Sequence, residues 1–289
     1  MGKKNTLDIR RWDPQSMGDN SVSVVLGKRN TGKTVLTKNI LYEKFRDIPY
    51  AIAVSGTESV NPTYTGIFPP EFVHEEYSTE LLGSLIDFQR KKISEQKNID
   101  KMRTKFKGEQ SIARKLKQKD TRALLLLDDC LHQSSVFTKD KNLKWMLMNG
   151  RHAHISAMIL MQYICPPGWG PGFRAQVDYI FILREQSMQN RHKIWTMYGS
   201  AVPTFELFCQ LMDVITDNYG VLVIDNRTQS NSLTDIIYHY KADPDIGEFR
   251  VAKEAWELSL SGELARLARE EPPQTTEVKG KAQLDINLT

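Results

Sequence analysis

The strongest constraint on this chain is an eight-residue run near its start, Gly27-Lys28-Arg29-Asn30-Thr31-Gly32-Lys33-Thr34, which satisfies the G-x-x-x-x-G-K-[ST] phosphate-loop pattern. It follows an apolar, β-branched run, Val22-Ser23-Val24-Val25-Leu26, and precedes a stretch with Leu36 and Ile40 one helical turn apart. The pattern therefore reads as the turn between a buried strand and a helix. Gly27 and Gly32 permit the tight backbone that lets successive N–H groups surround phosphates at the positive end of a helix. Lys33 brings a mobile positive charge to the β/γ-phosphates, and Thr34 a hydroxyl oxygen for Mg²⁺. The competing reading is a glycine-rich turn that holds no nucleotide.

A second constraint is the run Leu124-Leu125-Leu126-Leu127-Asp128-Asp129. A carboxylate at the end of a buried strand is costly unless a cation or a donor meets it. Beside a phosphate loop, Asp128 reads as the Mg²⁺ carboxylate, acting through water, and Asp129 as the base that orients and deprotonates the attacking water. The alternative is that the pair caps the following turn. The next apolar strand, Ile155-Ser156-Ala157-Met158-Ile159-Leu160-Met161, ends in Gln162. That amide reads as a sensor of the γ-phosphate or lytic water at the carboxyl edge of the sheet, where ligands of α/β sheets bind. Arg151 precedes this strand and reads as an arginine finger for a neighbouring subunit's phosphate, with Arg174 as its rival and a structural arginine as the plain alternative. His152, His154, Cys130 and His132 match no standard zinc spacing.

Short apolar runs at residues 22–26, 50–54, 123–127, 155–161, 179–183, 221–224 and 236–240 alternate with amphipathic stretches at 34–46, 79–92, 142–151, 186–198 and 204–216. That order predicts an α/β fold, a P-loop NTPase with a mostly parallel sheet covered by helices. The strand at 50–54 is added between the phosphate-loop and acidic strands. The chain has 289 residues, 40% hydrophobic and 26% charged, which excludes wholesale disorder and fibrous repeats. We expect an arm over 1–19, one ATPase domain over 20–241 with a basic helical insertion at about 90–120, and a C-terminal extension over 242–289, polar and partly disordered from Glu270.

Charge is unevenly spread. Lys+Arg 39 against Asp+Glu 35 leaves +4 overall, yet residues 90–120 alone carry twelve basic and four acidic side chains, a surplus of +8. The segment reads as one or two exposed helices, broken at Gly108, and Lys101, Arg103, Lys105 and Lys107 are its candidate contacts to DNA phosphates. The plain alternative is a solvated helical face. Apolar runs such as residues 123–127 fall far short of the roughly 20 residues that cross a bilayer, so no transmembrane segment or secretory signal is expected. Cys130, Cys165 and Cys209 read as core thiols of a reducing compartment. Met1-Gly2-Lys3-Lys4-Asn5-Thr6 fits the N-myristoylation pattern, a weak signal on its own.

With these residues in place, the chain resembles the genome-packaging ATPases of large nucleocytoplasmic DNA viruses, the poxvirus-type members of the FtsK/HerA superfamily. Four blocks carry the likeness: residues 27–34, the L-L-L-L-D-D-C segment at 124–130, the N-G-R-H-x-x-I-S segment with its strand and glutamine at 149–162, and the R-A-Q-V-D-Y-I-F-I-L-R-E segment at 174–185. The resemblance spans roughly residues 20–240. It implies a homo-oligomeric ring that hydrolyses ATP, with Mg²⁺, to drive double-stranded DNA into a preformed capsid. Lys33, Asp128 and Gln162 match its phosphate lysine, magnesium carboxylate and sensor. It also implies capsid or inner-membrane viral proteins as partners and a place in the host cytoplasm, at the viral factory, or in the virion. Many superfamily members carry Glu after the magnesium Asp, whereas this chain has Asp129, one methylene shorter. Two rival classes remain: a nucleoside or nucleotide kinase, which needs an acceptor pocket and an arginine-bearing lid, and an ATP-dependent assembly switch or scaffold, which needs neither Asp129 nor Gln162.

Overall fold

The computed structural model describes residues 7–105, 118–130, 139–162, 164 and 169–260. Its centre is a nine-stranded sheet: β1 (Arg10–Arg11), β2 (Val22–Leu26), β3 (Tyr50–Ser55), β4 (Val73–His74), β5 (Ala123–Asp128), β6 (Ile155–Met161), β7 (Tyr179–Ile182), β8 (Gly220–Asp225) and β9 (Ile237–Lys241). The spatial order is β1-β9-β8-β7-β2-β6-β5-β3-β4. Every neighbouring pair is parallel except β7–β8 and β8–β9, so β8 is the one reversed strand.

The strands are apolar on both faces because both faces are covered. Along β2, Val24 and Leu26 enter one core and Val25 the other; along β5, Leu125 and Leu127 part from Leu124 and Leu126 in the same way. This period of two makes a three-layer sandwich. One core is closed by α2 (Thr79–Lys105), α3 (Lys141–Asn149), α4 (Met188–Met197) and α5 (Phe205–Ile215), through residues such as Leu82, Met146, Ile194 and Phe208. The other is closed by α1 (Lys33–Ile40), whose Leu36 and Ile40 are buried, and by α6 (Lys253–Leu260) through Ala255. Side-chain caps open the helices as polar residues before apolar runs should: Asp140 accepts from Asn142 N (2.6 Å), and Thr204 from Leu207 N (3.2 Å).

The seven expected strands lie at the expected places, within a residue or two at their ends. The helix expected over 79–92 continues to Lys105 as one 27-residue helix, of about 40 Å. Its buried residues are Leu82, Leu85, Ile86 and Gln89. Gln89 Nε2 donates to the carbonyls of Thr121 (2.7 Å) and Ala153 (3.1 Å), just ahead of β5 and β6. At Gln89 the helix has thus reached the edge where those strands begin, and the sixteen residues that follow extend about 24 Å further. The expected helix over 34–46 is α1 followed by a π-helical turn at Leu41–Phe45.

The expected division at 19 does not separate an arm from the core. Arg10–Arg11 pair with β9, and Trp12 is 2% exposed among the rings of Tyr179, Phe181 and Tyr240. Past 241, Val251, Ala252 and Ala255 are buried as well. Gly2, Lys107, Gly108, His132, Cys165 and the tail from Glu270 lie outside the described residues. Among the described residues no helix is long and apolar enough to cross a membrane.

Candidate nucleotide site

The site forms where β2, β6 and β5 end side by side. Gly27 N donates to Met161 O (3.1 Å), which ties the first residue of the phosphate loop to the end of β6. Sequence order puts β3 between the two nucleotide motifs, but in space β6 separates β2 from β5 and β3 lies outside β5. Gln162 is therefore delivered between the loop and the acidic pair.

Close packing explains both loop glycines. A Cβ at Gly27 would sit 2.6 Å from Thr31 Oγ1 and 2.8 Å from Leu183 Cδ1, and Gly32 caps α1 at φ +97°, where side chains are strained. Asn30 also adopts a left-handed conformation (φ 62°), which Asn tolerates better than most residues. Thr31 Oγ1 donates to Lys28 O (2.7 Å) and closes the turn. Arg29 and Thr34 are exposed, the hydroxyl of Thr34 at the first turn of α1. Lys33 Nζ folds over the loop and donates to the carbonyls of Gly27 (2.6 Å) and Lys28 (2.9 Å). Burial pulls its ammonium below the ordinary lysine range, against the opposing pull of Asp128 and Asp129.

The acidic pair is divided by its partners. Asp128, the last residue of β5, accepts at Oδ2 from Tyr64 Oη (2.7 Å). Burial pushes its carboxyl above the usual range, and the tyrosine bond opposes that push. Burial, with the Asp128 charge, holds the Tyr64 phenol well above its ordinary value, so the hydroxyl stays a donor. Asp129 leaves the strand with φ 52° and accepts at Oδ2 from Gln162 Nε2 (2.9 Å). The residues expected to be base and sensor are thus in direct contact, and the second N–H and the carbonyl oxygen of Gln162 give it further capacity toward a substrate.

Glu185, two residues beyond the buried Leu183, grips the loop from the other side. Its Oε1 accepts from Lys28 Nζ (2.6 Å) and Ser187 N (2.8 Å), and its Oε2 from Asn190 Nδ2 (3.0 Å). Burial works against its carboxylate, but these bonds outweigh it and hold the group below the usual carboxylate range. Cys130 Sγ lies against the carbonyls of Val54 (3.4 Å) and Asp128 (3.3 Å), and burial pushes the thiol up to about 12, so it stays protonated.

Both finger candidates stand at the opposite edge. Arg151 precedes β6 and its side chain, 57% exposed, pairs with Asp178, which is 4% exposed and also accepts from Val22 N (2.8 Å). Arg174 lies in the turn before β7. A seven-residue strand spans about 23 Å, so the Arg151 guanidinium does not reach the phosphate loop of its own chain.

A family model described as Poxvirus A32 protein matches residues 12–238. The chain belongs to that family. Among the relatives of this A32-family chain, protein 088R of invertebrate iridescent virus 3 is 32% identical over 230 residues, 80% of this chain and 78% of that protein. Protein 075L of invertebrate iridescent virus 6 is 32% identical over 241 residues, 82% and 83% of the two chains. Among solved structures, the pCW3 conjugation coupling protein TcpA, with ATPγS, aligns at 13% identity over 83% of this chain and 65% of that one with a TM-score of 0.54, a likeness of fold. The family match covers all four blocks on which the resemblance rested, and the resemblance is borne out.

Within the A32-family frame, sequence reasoning missed Tyr64 and Glu185. A weaker signal existed for Glu185, an acidic residue that follows Arg184 just after an apolar strand. None marked Tyr64, an aromatic residue in a loop that meets its partner across 64 positions.

Proposed function

We propose that this A32-family chain is an ATP-hydrolysing motor that drives double-stranded DNA into a preformed capsid, and that it works as a ring of identical subunits. The observation that carries the catalytic part is the convergence of the Lys33 loop, Asp128 and the Asp129–Gln162 pair, 2.9 Å apart, on one edge of the sheet. The loop N–H groups and Lys33 bind the phosphates. The donors at hand, the Thr34 hydroxyl and the strand-end carboxylate of Asp128, suit Mg²⁺, which when bound neutralises charge on the phosphate oxygens. Asp129 accepts the proton of the attacking water, and Gln162 keeps its carboxylate oriented. Because Arg151 stands at the far edge, it serves only a neighbour's site, which is the geometry a ring requires. For Arg151 that service means exchanging Asp178 for the phosphate.

Lys101, Arg103 and Lys105, on the overhanging end of α2, contact the phosphate backbone without reading sequence. Capsid or inner-membrane viral proteins are the partners, at the viral factory or in the virion. The deciding experiment is ATP hydrolysis by the purified full chain with and without duplex DNA, beside Lys33→Ala and a panel of nucleoside monophosphates. Phosphate release stimulated by DNA and lost in Lys33→Ala supports the motor. Phosphorylated monophosphate would establish a kinase, and DNA-indifferent turnover a switch.

A further inference from the structure

We propose that Tyr64 is a positioning residue for the Asp128 carboxylate, and that Glu58 holds Tyr64 in place. The inference rests on the reading of Asp128 as the magnesium carboxylate and assigns the residues that set its orientation. Glu58 follows β3 by three positions and is 6% exposed. One of its oxygens, Oε1, accepts from three successive backbone N–H groups, Thr63 (3.0 Å), Tyr64 (2.9 Å) and Thr65 (2.7 Å), and from Thr65 Oγ1 (2.9 Å). A buried carboxylate gathering consecutive backbone donors fixes the turn that carries them.

The tyrosine is fixed at its other end too. Its ring is fully buried, edge-on to Phe68 at 5.9 Å, and its carbonyl accepts from the N–H groups of Ile67 and Phe68, both at 3.0 Å. From this frame the hydroxyl reaches Asp128 Oδ2 at 2.7 Å. Ser55, the last residue of β3, is in register with Asp128, so the Glu58 loop leaves its strand beside the carboxylate it controls. A strand-end carboxylate rotates about its χ2 unless something holds it. The phenol occupies one oxygen and leaves the other for the hydration shell of a metal, in the manner of outer partners that orient metal ligands.

A plain core tyrosine would donate to Asp128 only to satisfy its own hydroxyl, and its loss would lower stability without touching the metal. The two are separated by measuring Mn²⁺ binding by electron paramagnetic resonance, with the full chain and a non-hydrolysable ATP analogue, alongside affinity for the analogue in EDTA and the melting temperature. Tyr64→Phe should bind Mn²⁺ about tenfold more weakly and keep its metal-free analogue affinity. Glu58→Ala should behave the same way, and Glu58→Gln, which keeps an acceptor oxygen for the turn, should recover most of the affinity. Asp128→Asn is the control: if it leaves Mn²⁺ affinity unchanged, the reading of Asp128 fails. If Asp128→Asn loses Mn²⁺ while Tyr64→Phe and Glu58→Ala retain it, or if Tyr64→Phe weakens analogue binding equally with and without metal, the positioning role is overturned and the reading of Asp128 stands.

Discussion

The two edges of the parallel sheet use polar residues in opposite ways. At the edge where the strands begin, side chains tie down backbone and one another: Asp178 takes Val22 N and Arg151, Gln89 takes the carbonyls of Thr121 and Ala153, and Thr121 Oγ1 meets His154 Nδ1 at 2.6 Å. At the edge where they end, the polar groups face one another over the phosphate loop. A lysine is held below its normal range, a carboxyl above its own, and Asn30, Gly32 and Asp129 carry left-handed backbone. On the proposed reading, the same strands begin in a set of bonds that stabilise and end in a set that receives the nucleotide. Left-handed backbone is not what separates the two edges, since Asn20 and His154 adopt it just ahead of β2 and β6; the difference lies in which groups face one another.

If that division holds, Asp129→Asn will show the largest effect and no effect on the fold. Turnover should fall by roughly 10²–10⁴, while nucleotide affinity and melting temperature stay near wild type, since Asn accepts φ 52° as readily as Asp. Calorimetry with an ATP analogue beside steady-state hydrolysis checks this; full activity in the variant would move the base elsewhere.

Asp178→Ala tests the other edge. Losing a buried carboxylate that holds Val22 N and Arg151 should cost about 2–4 kcal/mol in urea denaturation, with nucleotide affinity unchanged at temperatures where the variant is folded. Arg151→Ala should cost far less, because its side chain is mostly in water. If Arg151 also serves a neighbour, mixing Arg151→Ala with Lys33→Ala protein should restore part of the ATPase activity. No rescue in demonstrated mixed rings would leave it a purely structural arginine.

Glu185 sharpens the boundary, since it bonds like the starting edge but sits at the ending one. Glu185→Gln should lower stability by about 1–2 kcal/mol at neutral pH. The sign follows from a carboxyl held below its unfolded value: the contribution is full above the ordinary glutamate pKa of about 4.3 and is lost as pH falls through the lower folded value. Denaturation curves for both proteins should therefore converge on acidification; a difference that persists at low pH would rule out the ion pair as its source. The smallest effect belongs to the overhang. Replacing Lys101, Arg103 and Lys105 with Gln should weaken binding to every duplex alike and flatten the plot of log affinity against log salt by about 0.9 per lost contact. Unchanged slope and affinity would make this end of α2 a solvated face.

Local pattern determined a good deal. Strands buried on both sides must be apolar along their whole length, so residues such as 123–127 and 155–161 were legible, and a phosphate loop needs glycines, a lysine and a hydroxyl at set spacing, so Gly27 to Thr34 was too. Asp128, Asp129 and Gln162 stood out because a polar residue ending a buried strand demands a partner. Helix in the basic stretch was legible from its composition, but not that residues 79–105 form one continuous helix, because the buried residues end at Gln89 and the remainder is polar. Two-residue edge strands such as β1 and β4 carry too few residues for any pattern. Tertiary structure alone decided that β6 intervenes between β2 and β5 and brings Gln162 to Asp129, that Arg151 lies a full strand away from its own phosphate loop, and that Tyr64 meets Asp128 and Glu185 meets Lys28. Those contacts join positions 33 to 157 residues apart. Strand order is set by how the helices pack over the sheet, and a residue's neighbours across that sheet leave no periodic trace in its own segment.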